Sequence, residues 1–531
     1  MMINEITESM HLALADPSQL SRIASLSQGI PELSSDDVDL LLERLLDFSD
    51  ELQTSTEGLA EGAVKIDQLI QPVIHQLIQR ETKLIADGDS DDSWTASRFQ
   101  SVQSLYRVAP NSSDLRNHLL RWLAVEGSEE TLQIWTDLIC DDPPEHRVGI
   151  VLAFAPLMQT DFEPSPWMLS QLLNHGTIHS QIAPAIFDLF NYYYRHQKVE
   201  NHPAVERINA LTELLGLLVG QLGKIEDGKF PEGLGVPEIN QLVSDSVALI
   251  VALCDTFAQL EHEPAIGKLN QALGLRHRRV QTEAAAALAR LNDESGKKVL
   301  IQLAEQPVAR LRVLAYAEEL GFKNEISLEF QGEIAIAESH LAIWLAEPAQ
   351  MGLAPTRLKF MESRELYWPS YEHPVHCYLF EYHYGSGDQT HSNIGICGPL
   401  THAFAADLQH LELDEIYAAF AGWQTIHHEI YQISLHRAQQ TFPNEWRRLI
   451  SNLEAEAYEE HQPVIAASFF GELLLIADAT NNGQKGTAIV ESNHASWFSE
   501  GNAEAPIDSS MAYTIWRGKQ LLVNFNENES S

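Results

Sequence analysis

Basic residues, cysteine and uninterrupted apolar sequence are all scarce in this chain. Against 75 Asp and Glu stand only 34 Lys and Arg, for a formal net charge of −41 and a pI near 4.8. A chain this acidic repels a nucleic-acid backbone or an anionic bilayer unless a local basic patch intervenes. Four cysteines in 531 residues (Cys140, Cys254, Cys377 and Cys397) are too few for a disulfide scaffold and call for no oxidising compartment. The longest apolar runs, Val148 to Met158 and Val247 to Cys254, fall well short of the ~20 residues that cross a bilayer, so they read as buried core helices. The opening stretch Met1 to Met10 is acidic where a secretory leader would be basic. A cytoplasmic protein with no membrane partner is the expectation.

The familiar catalytic signatures are missing too. There is no G-x-x-x-x-G-K-[ST] loop, no G-x-G-x-x-G, no G-x-S-x-G elbow, no H-E-x-x-H and no C-x-x-C. This argues against the enzyme classes that carry them, though not against a site assembled from residues distant in sequence.

What is present is globular texture, 44% hydrophobic and 21% charged. At about 150 residues per domain the length allows three to four units. Residues 1–325 read as helix after helix. Ser34 or Asp36 offers an N-cap oxygen, and Val38, Leu41, Leu42 and Leu45 follow at helical spacing. Further periodic stretches begin near Ala63, Ser113, Glu129, Arg147, Pro166, Ile182, Ala204 and Glu238, with short polar breaks such as Asp87 to Asp92 between them.

Two of these helices repeat. Val280 and Ala284 lie over Leu311 and Ala315, and each copy follows a helix carrying two aliphatics, Leu269 with Leu273 and Val299 with Leu303. Alanine four places on lets helices approach closely while the aliphatics interlock. Over about residues 264–322 the chain resembles the short HEAT-like repeats whose helix reads V-R-x-x-A-x-x-A-L. It matches at Val280, Ala284, Ala287 and Leu288, and more loosely at Leu311, Arg312, Ala315 and Leu320. The resemblance implies an all-α solenoid that buries its core by stacking repeats, with degenerate copies upstream. Two enzymatic relatives of such repeats are set aside. A diiron hydroxylase-like protein would repeat a His-Glu dipeptide, and the helical half has one, His262-Glu263. A bilin lyase-like protein has no local signature here.

After Gly321 the texture changes. Ser327 to Ile336 partly alternates like a strand, and a helix follows from about Ala337. Strand-like runs come at Arg357 to Trp368, Val375 to Tyr384 and Ser392 to Cys397, then a helix from Asp414 to Ile430. This reads as an α+β domain over 326–435. Residues 436–531 read as a helix from Pro443 to Glu460 and a small β-rich module, with strands at Val464 to Ala477, Gly486 to Val490 and Met511 to Phe525. Asn481-Asn-Gly supplies hairpin-turn chemistry, and the tail after Asn526 is expected to fray.

Two clusters could carry function. Between Leu275 and Arg312 eight basic residues face four acidic ones, a local +4 on a chain whose remainder carries −45. Arg276, Arg278, Arg279, Arg310 and Arg312 on adjacent repeat helices would receive an acidic protein segment, with nucleic acid disfavoured by the surrounding charge. The bland alternative is that these arginines pair with neighbouring acids. The second cluster holds His373, His376, Cys377, His383, His391, Cys397 and His402, imidazole and thiol being the donors zinc prefers. Strand alternation puts Cys377, Glu381 and His383 on one face and His376, Tyr378, Phe380 and Tyr382 on the other. Either these are partly buried sheet histidines, or Cys377, His383, His391, Cys397 and His402 supply a metal, sensor or catalytic site. The leading expectation is a non-enzymatic cytoplasmic scaffold with no cofactor, binding protein partners through the solenoid. The alternative is an enzyme or metal or small-molecule sensor in 326–435.

Overall fold

Ser34 Oγ accepts a hydrogen bond from the Asp37 amide, and the helix it caps, Ser35–Ser55, buries Val38, Leu41, Leu42 and Leu45. Apolar stripes separated by polar breaks recur along the first half of the chain, and Thr95 and Ser128 cap two later helices in the same way. The computed structural model describes residues 2–14, 16–55, 67–87, 94–145, 149–386, 389–456, 458–492, 494–501 and 503–526. The helix starts expected near Ala63 and Arg147, the break after Asp87 and the tail beyond Asn526 lie outside those residues.

The chain forms two units, Met1–Leu300 and Ile301–Ser531. In the first, the described helices are α1 Met2–Ala13, α2 Leu20–Ser27, α3 Ser35–Ser55, α4 Gln71–Asp87 and α5 Ala96–Val108. There follow α6 Leu115–Glu126, α7 Glu129–Asp141, α8 Ile150–Phe154, α9 Pro166–Asn174 and α10 Ala183–Arg195. The series closes with α11 Ile208–Glu226, α12 Val236–Gln259, α13 Ile266–Ala272, α14 Arg278–Arg290 and α15 Glu294–Leu303, whose last turn enters the second unit. Helices pack on the next helix but one: α4 on α6, α6 on α8, α10 on α12, α11 on α13 and α12 on α14. One apolar cluster runs from Ile3 to Leu291. Among the described residues α12 alone is long and apolar enough to cross a membrane, and most of its apolar window is buried inside the protein.

Polar groups are buried at the joints of this unit. Arg98 has no exposed surface; its Nε donates to Asp39 Oδ1 at 2.8 Å and its Nη2 to the Ser35 carbonyl and hydroxyl. Glu81 Oε2 accepts from the indoles of both Trp94 and Trp122, and burial pushes its carboxyl above the ordinary range. Asn191 Nδ2 donates to the Ala252 carbonyl, while its Oδ1 accepts from Thr256 and faces His202 Nε2 at 3.0 Å. The Ala204 amide donates to His202 Nδ1, which puts the ring proton on Nε2. Burial lowers the His202 pKa to about 4, so the ring is neutral. The run Asn191 to His196 ends α10, with Asn191 and Tyr193 buried and the Tyr192 and Tyr194 rings partly exposed.

The second unit opens with α16 Pro307–Glu319 and α17 Glu333–Ala346. The strand expected over Ser327 to Ile336 is a short 3-10 turn followed by the start of α17, because Ala335, Ala337, Leu341 and Leu345 make a helical stripe that packs on a sheet. That sheet is an antiparallel meander: β1 Arg357–Leu366, β2 Val375–Ser386, β3 Gln389–Cys397 and β4 His402–Ala403. Helix α18, Leu413–Gln424, covers its other face, with Cys377, Leu379, Ile394 and Ile396 against Ile416 and Phe420. The helix ends at Gln424, six residues before the expected end.

The next elements are β5 Ile430–Ile433, α19 Leu435–Thr441 and α20 Pro443–Ala455. A second meander follows: β6 Glu459–Phe469, β7 Glu472–Asn481, β8 Gln484–Val490 and β9 Ala495–Ser499, with β5 beside β6. The expected single strand Val464 to Ala477 is two strands, reversed where Phe470 and Gly471 take positive φ. The β7–β8 turn is as expected: Asn482 and Gly483 both have positive φ, and Asn481 pairs with Gln484. The expected strand over Met511 to Phe525 is instead a helix, α21 Ser509–Asn526.

The reason lies in α18. Ideal Cβ atoms would fall 1.7 Å from the Ala418 carbonyl oxygen at Gly518 and 2.0 Å from the Thr514 carbonyl oxygen at Gly422. The two helices therefore cross backbone to backbone, a contact that only glycine on both permits. The crossing also relates two like halves, each a four-stranded meander followed by a helix. Tyr417, Phe420, Gly422 and Gln424 of α18 match Tyr513, Trp516, Gly518 and Gln520 of α21 at one constant spacing. Both sheets turn one face to this helix pair, so a single buried cluster joins Trp368, Leu379, Ile476, Ile489 and Trp516.

Candidate functional site

The arginines of the basic segment divide between the units. Arg276, Arg278 and Arg279 are exposed in the first. The Arg276 and His277 amides donate to Glu226, which anchors the start of α14, and Arg278 Nη1 donates to Gln281 at 2.7 Å. Arg290 lies 3.7 Å from Asp255, which Arg195 also pairs at 2.5 Å. Arg310 is a correction. It is 2% exposed, and its Nη1 donates to Glu338 Oε2 and the Ala335 carbonyl at 2.7 Å while Nε donates to the Ala304 carbonyl. A guanidinium enclosed this way pins α16 to α17 and has no surface to offer a partner. Arg312 is exposed on the same helix.

One acid beside these arginines is unusual. Asp188 on α10 has solvent access, yet the surrounding helices desolvate it and Asp255 adds like charge, pushing its carboxyl up to about 6 against the pull of Arg279 and Arg195.

The five His and Cys candidates do not converge. Cys377 is buried in the cluster under α18, where desolvation pushes its thiol up to about 12. Cys397 is buried in the cluster under α17, on the opposite face of the sheet, and burial raises its thiol as well. His383 pairs with Glu381 at 3.5 Å on the face of Cys377. His402 stacks on Trp423 with ring centroids 3.9 Å apart and has Phe404 at its edge; burial lowers its pKa to about 4. Among the described residues no three His, Cys, Asp or Glu side chains group closely enough to hold a metal ion.

His391 belongs to a feature that the sequence reading did not anticipate. A cleft of about 740 Å³ opens in the second unit where the two like halves meet. One wall is the start of β3 and the loop before α18, held by Asn393, whose buried amide donates to the Phe404 and Ala406 carbonyls and whose oxygen accepts from the Leu408 amide. The other wall is β9 and the loop before α21. The loops join where the Asp407 amide donates to the Ala505 carbonyl at 2.8 Å. Ionisable side chains on the walls are Asp407, Glu415, Glu500, Glu504, His391 and His410, with no Lys or Arg. His410 Nε2 lies 3.4 Å from Asp407. The sequence signal that could have found it is the repeated Tyr, aromatic, Gly and Gln pattern of α18 and α21, because a duplicated module places its equivalent loops side by side. No family model, curated protein or solved structure matches this chain.

Proposed function

We propose that this chain is a non-enzymatic protein-interaction scaffold of the cytoplasm, its first unit a HEAT-like solenoid that receives an acidic segment of a protein partner. The packing of α10 on α12 and of α12 on α14 carries the reading. Helices that touch the next helix but one stack in layers, and each layer leaves an extended flank for partners. Arg276, Arg278 and Arg279, all exposed at the start of α14, supply the positive charge that an acidic segment needs. With −41 on the whole chain, that local charge selects against nucleic acid and in favour of a short acidic stretch that can reach the arginines alone.

The test compares the full-length chain with its Arg276→Glu/Arg278→Glu/Arg279→Glu variant as bait in native lysate. Bound proteins are identified by mass spectrometry at about 0.05 and 0.5 M salt. The expected result is one stoichiometric partner with an acidic segment, lost from the variant and weakened by salt. A partner held equally by both baits would remove this surface from the function.

A further inference from the structure

Strand β9 is the outermost strand of its sheet, and its free edge opens into the cleft. The ladder defines which groups point outward. The Glu500 amide donates to the Lys485 carbonyl and the Glu491 amide to the His494 carbonyl, so residues 494 and 500 make hydrogen-bonded pairs with β8. Such pairs alternate along an antiparallel ladder. Ser496 and Phe498 therefore bond inward, and Ala495, Trp497 and Ser499 direct their amides and carbonyls away from the sheet. These outward groups have no backbone partner among the described residues. Trp497, Phe498 and Ser499 all line the cleft. Side chains of successive strand residues alternate between faces, so a cavity that touches three in a row meets the strand at its edge.

An exposed edge is ordinarily blocked by lysine, proline or a bulge. Ala495-Ser-Trp-Phe-Ser499 has none of these; it is straight, regular in register and rigidified by Trp497 stacking on Tyr458, with centroids 5.2 Å apart. Among the described residues that line the cleft, the formally charged ones are the acids Asp407, Glu415, Glu500 and Glu504, beside His391 and His410. We infer that the cleft binds an extended, basic segment of a partner protein, which adds to β9 as a sixth strand and places Lys or Arg side chains against Glu500, Glu504 and Asp407. Backbone pairing supplies the affinity and the acidic walls select the sequence. Five residues beside β9 span about 17 Å at the strand rise. A second copy of this chain is disfavoured as occupant, since two such clefts would meet acid to acid. This site is independent of the flank assigned to the first unit and takes ligands of opposite charge.

Fluorescence anisotropy with the full-length chain tests the inference. The probe is a labelled peptide alternating Lys and Val, with three comparators: a Glu/Val peptide, the Lys/Val peptide N-methylated on alternate residues along its pairing edge, and the Lys/Val peptide on the Glu500→Lys/Glu504→Lys variant. Saturable binding of the Lys/Val peptide is expected, with each comparator weaker by about tenfold or more. Both substituted side chains are exposed, so the variant should fold. Glu454→Lys on α20 and Glu456→Lys just beyond its end, both outside the cleft, should leave binding unchanged. An N-methylated peptide that binds as well as its parent would overturn strand addition. Equal loss from the Glu454 and Glu456 substitutions would reduce the effect to general attraction by an acidic protein and overturn the site, as would absence of saturable binding.

Discussion

The two units solve the same packing problem with different geometry. The first stacks helices of one kind against one another, and its core is a long apolar seam interrupted by buried polar joints at Arg98, Glu81 and Asn191. The second wraps two sheets around a single helix crossing, and its core depends on how closely α18 and α21 approach. In the first unit the buried polar joints are spread along the seam. At the crossing the defining contacts are concentrated, and the glycines there have no substitute.

This contrast predicts where each unit breaks. The largest effect is expected from Gly518→Ala, whose methyl would meet the Ala418 carbonyl oxygen, backbone that no rotamer change can clear. We expect a loss of at least about 4 kcal/mol, seen as early collapse of amide protection in Ile301–Ser531 while the first unit keeps its own. Equal loss in both units would mean that they do not unfold separately. Next come the enclosed arginines. Arg310→Ala and Arg98→Ala should each cost about 3 kcal/mol in urea unfolding, because Glu338 and Asp39 are left without their guanidinium partners. Arg312→Ala, on an exposed side chain, should cost well under 1 kcal/mol. An exposed-type cost for Arg310 would restore it to the surface.

A further effect is on pH dependence. The unfolded His202 ring takes a proton near 6.5 and the folded ring only near 4, so between these values the unfolded state binds more protons and stability falls as pH falls. The loss at about pH 5 should be about 2 kcal/mol from this residue. His202→Gln, which can still donate to Asn191, should flatten that part of the profile. An unchanged slope would assign the acid sensitivity elsewhere, for example to His402, whose pKa is depressed by the same cause.

Much of the fold was legible because it depends on near neighbours in sequence. Apolar spacing located α3, α7, α9 and α10, strand-forming composition located β1, β2 and β3, and Asn482-Gly483 marked its turn, whereas partial alternation misplaced a strand over Ser327 to Ile336. The repeat alignment was less exact. Leu311 is half-buried and Ala315 exposed, while Ala309, Val313 and Ala317 are buried, so the packing register of α16 is offset from the residue match. The candidate site was hardly legible. Of the His and Cys residues singled out, His391 alone lines the cleft, and the acids that share it come from two segments far apart in sequence, 407–415 and 500–504.

By itself the sequence determined that the first half is helical, that meandering strands follow, and that the surface is strongly acidic, since periodicity, turn chemistry and charge are properties of short stretches or of composition. Tertiary structure decided that Met511 to Phe525, rich in strand-forming residues, is a helix, because a glycine-to-glycine crossing with α18 is available only in that form. It also decided that Arg310 is enclosed while Arg276 and Arg278 are exposed, and that two loops far apart in sequence share one cleft. Burial of a charge and meeting of loops depend on partners that no local pattern contains.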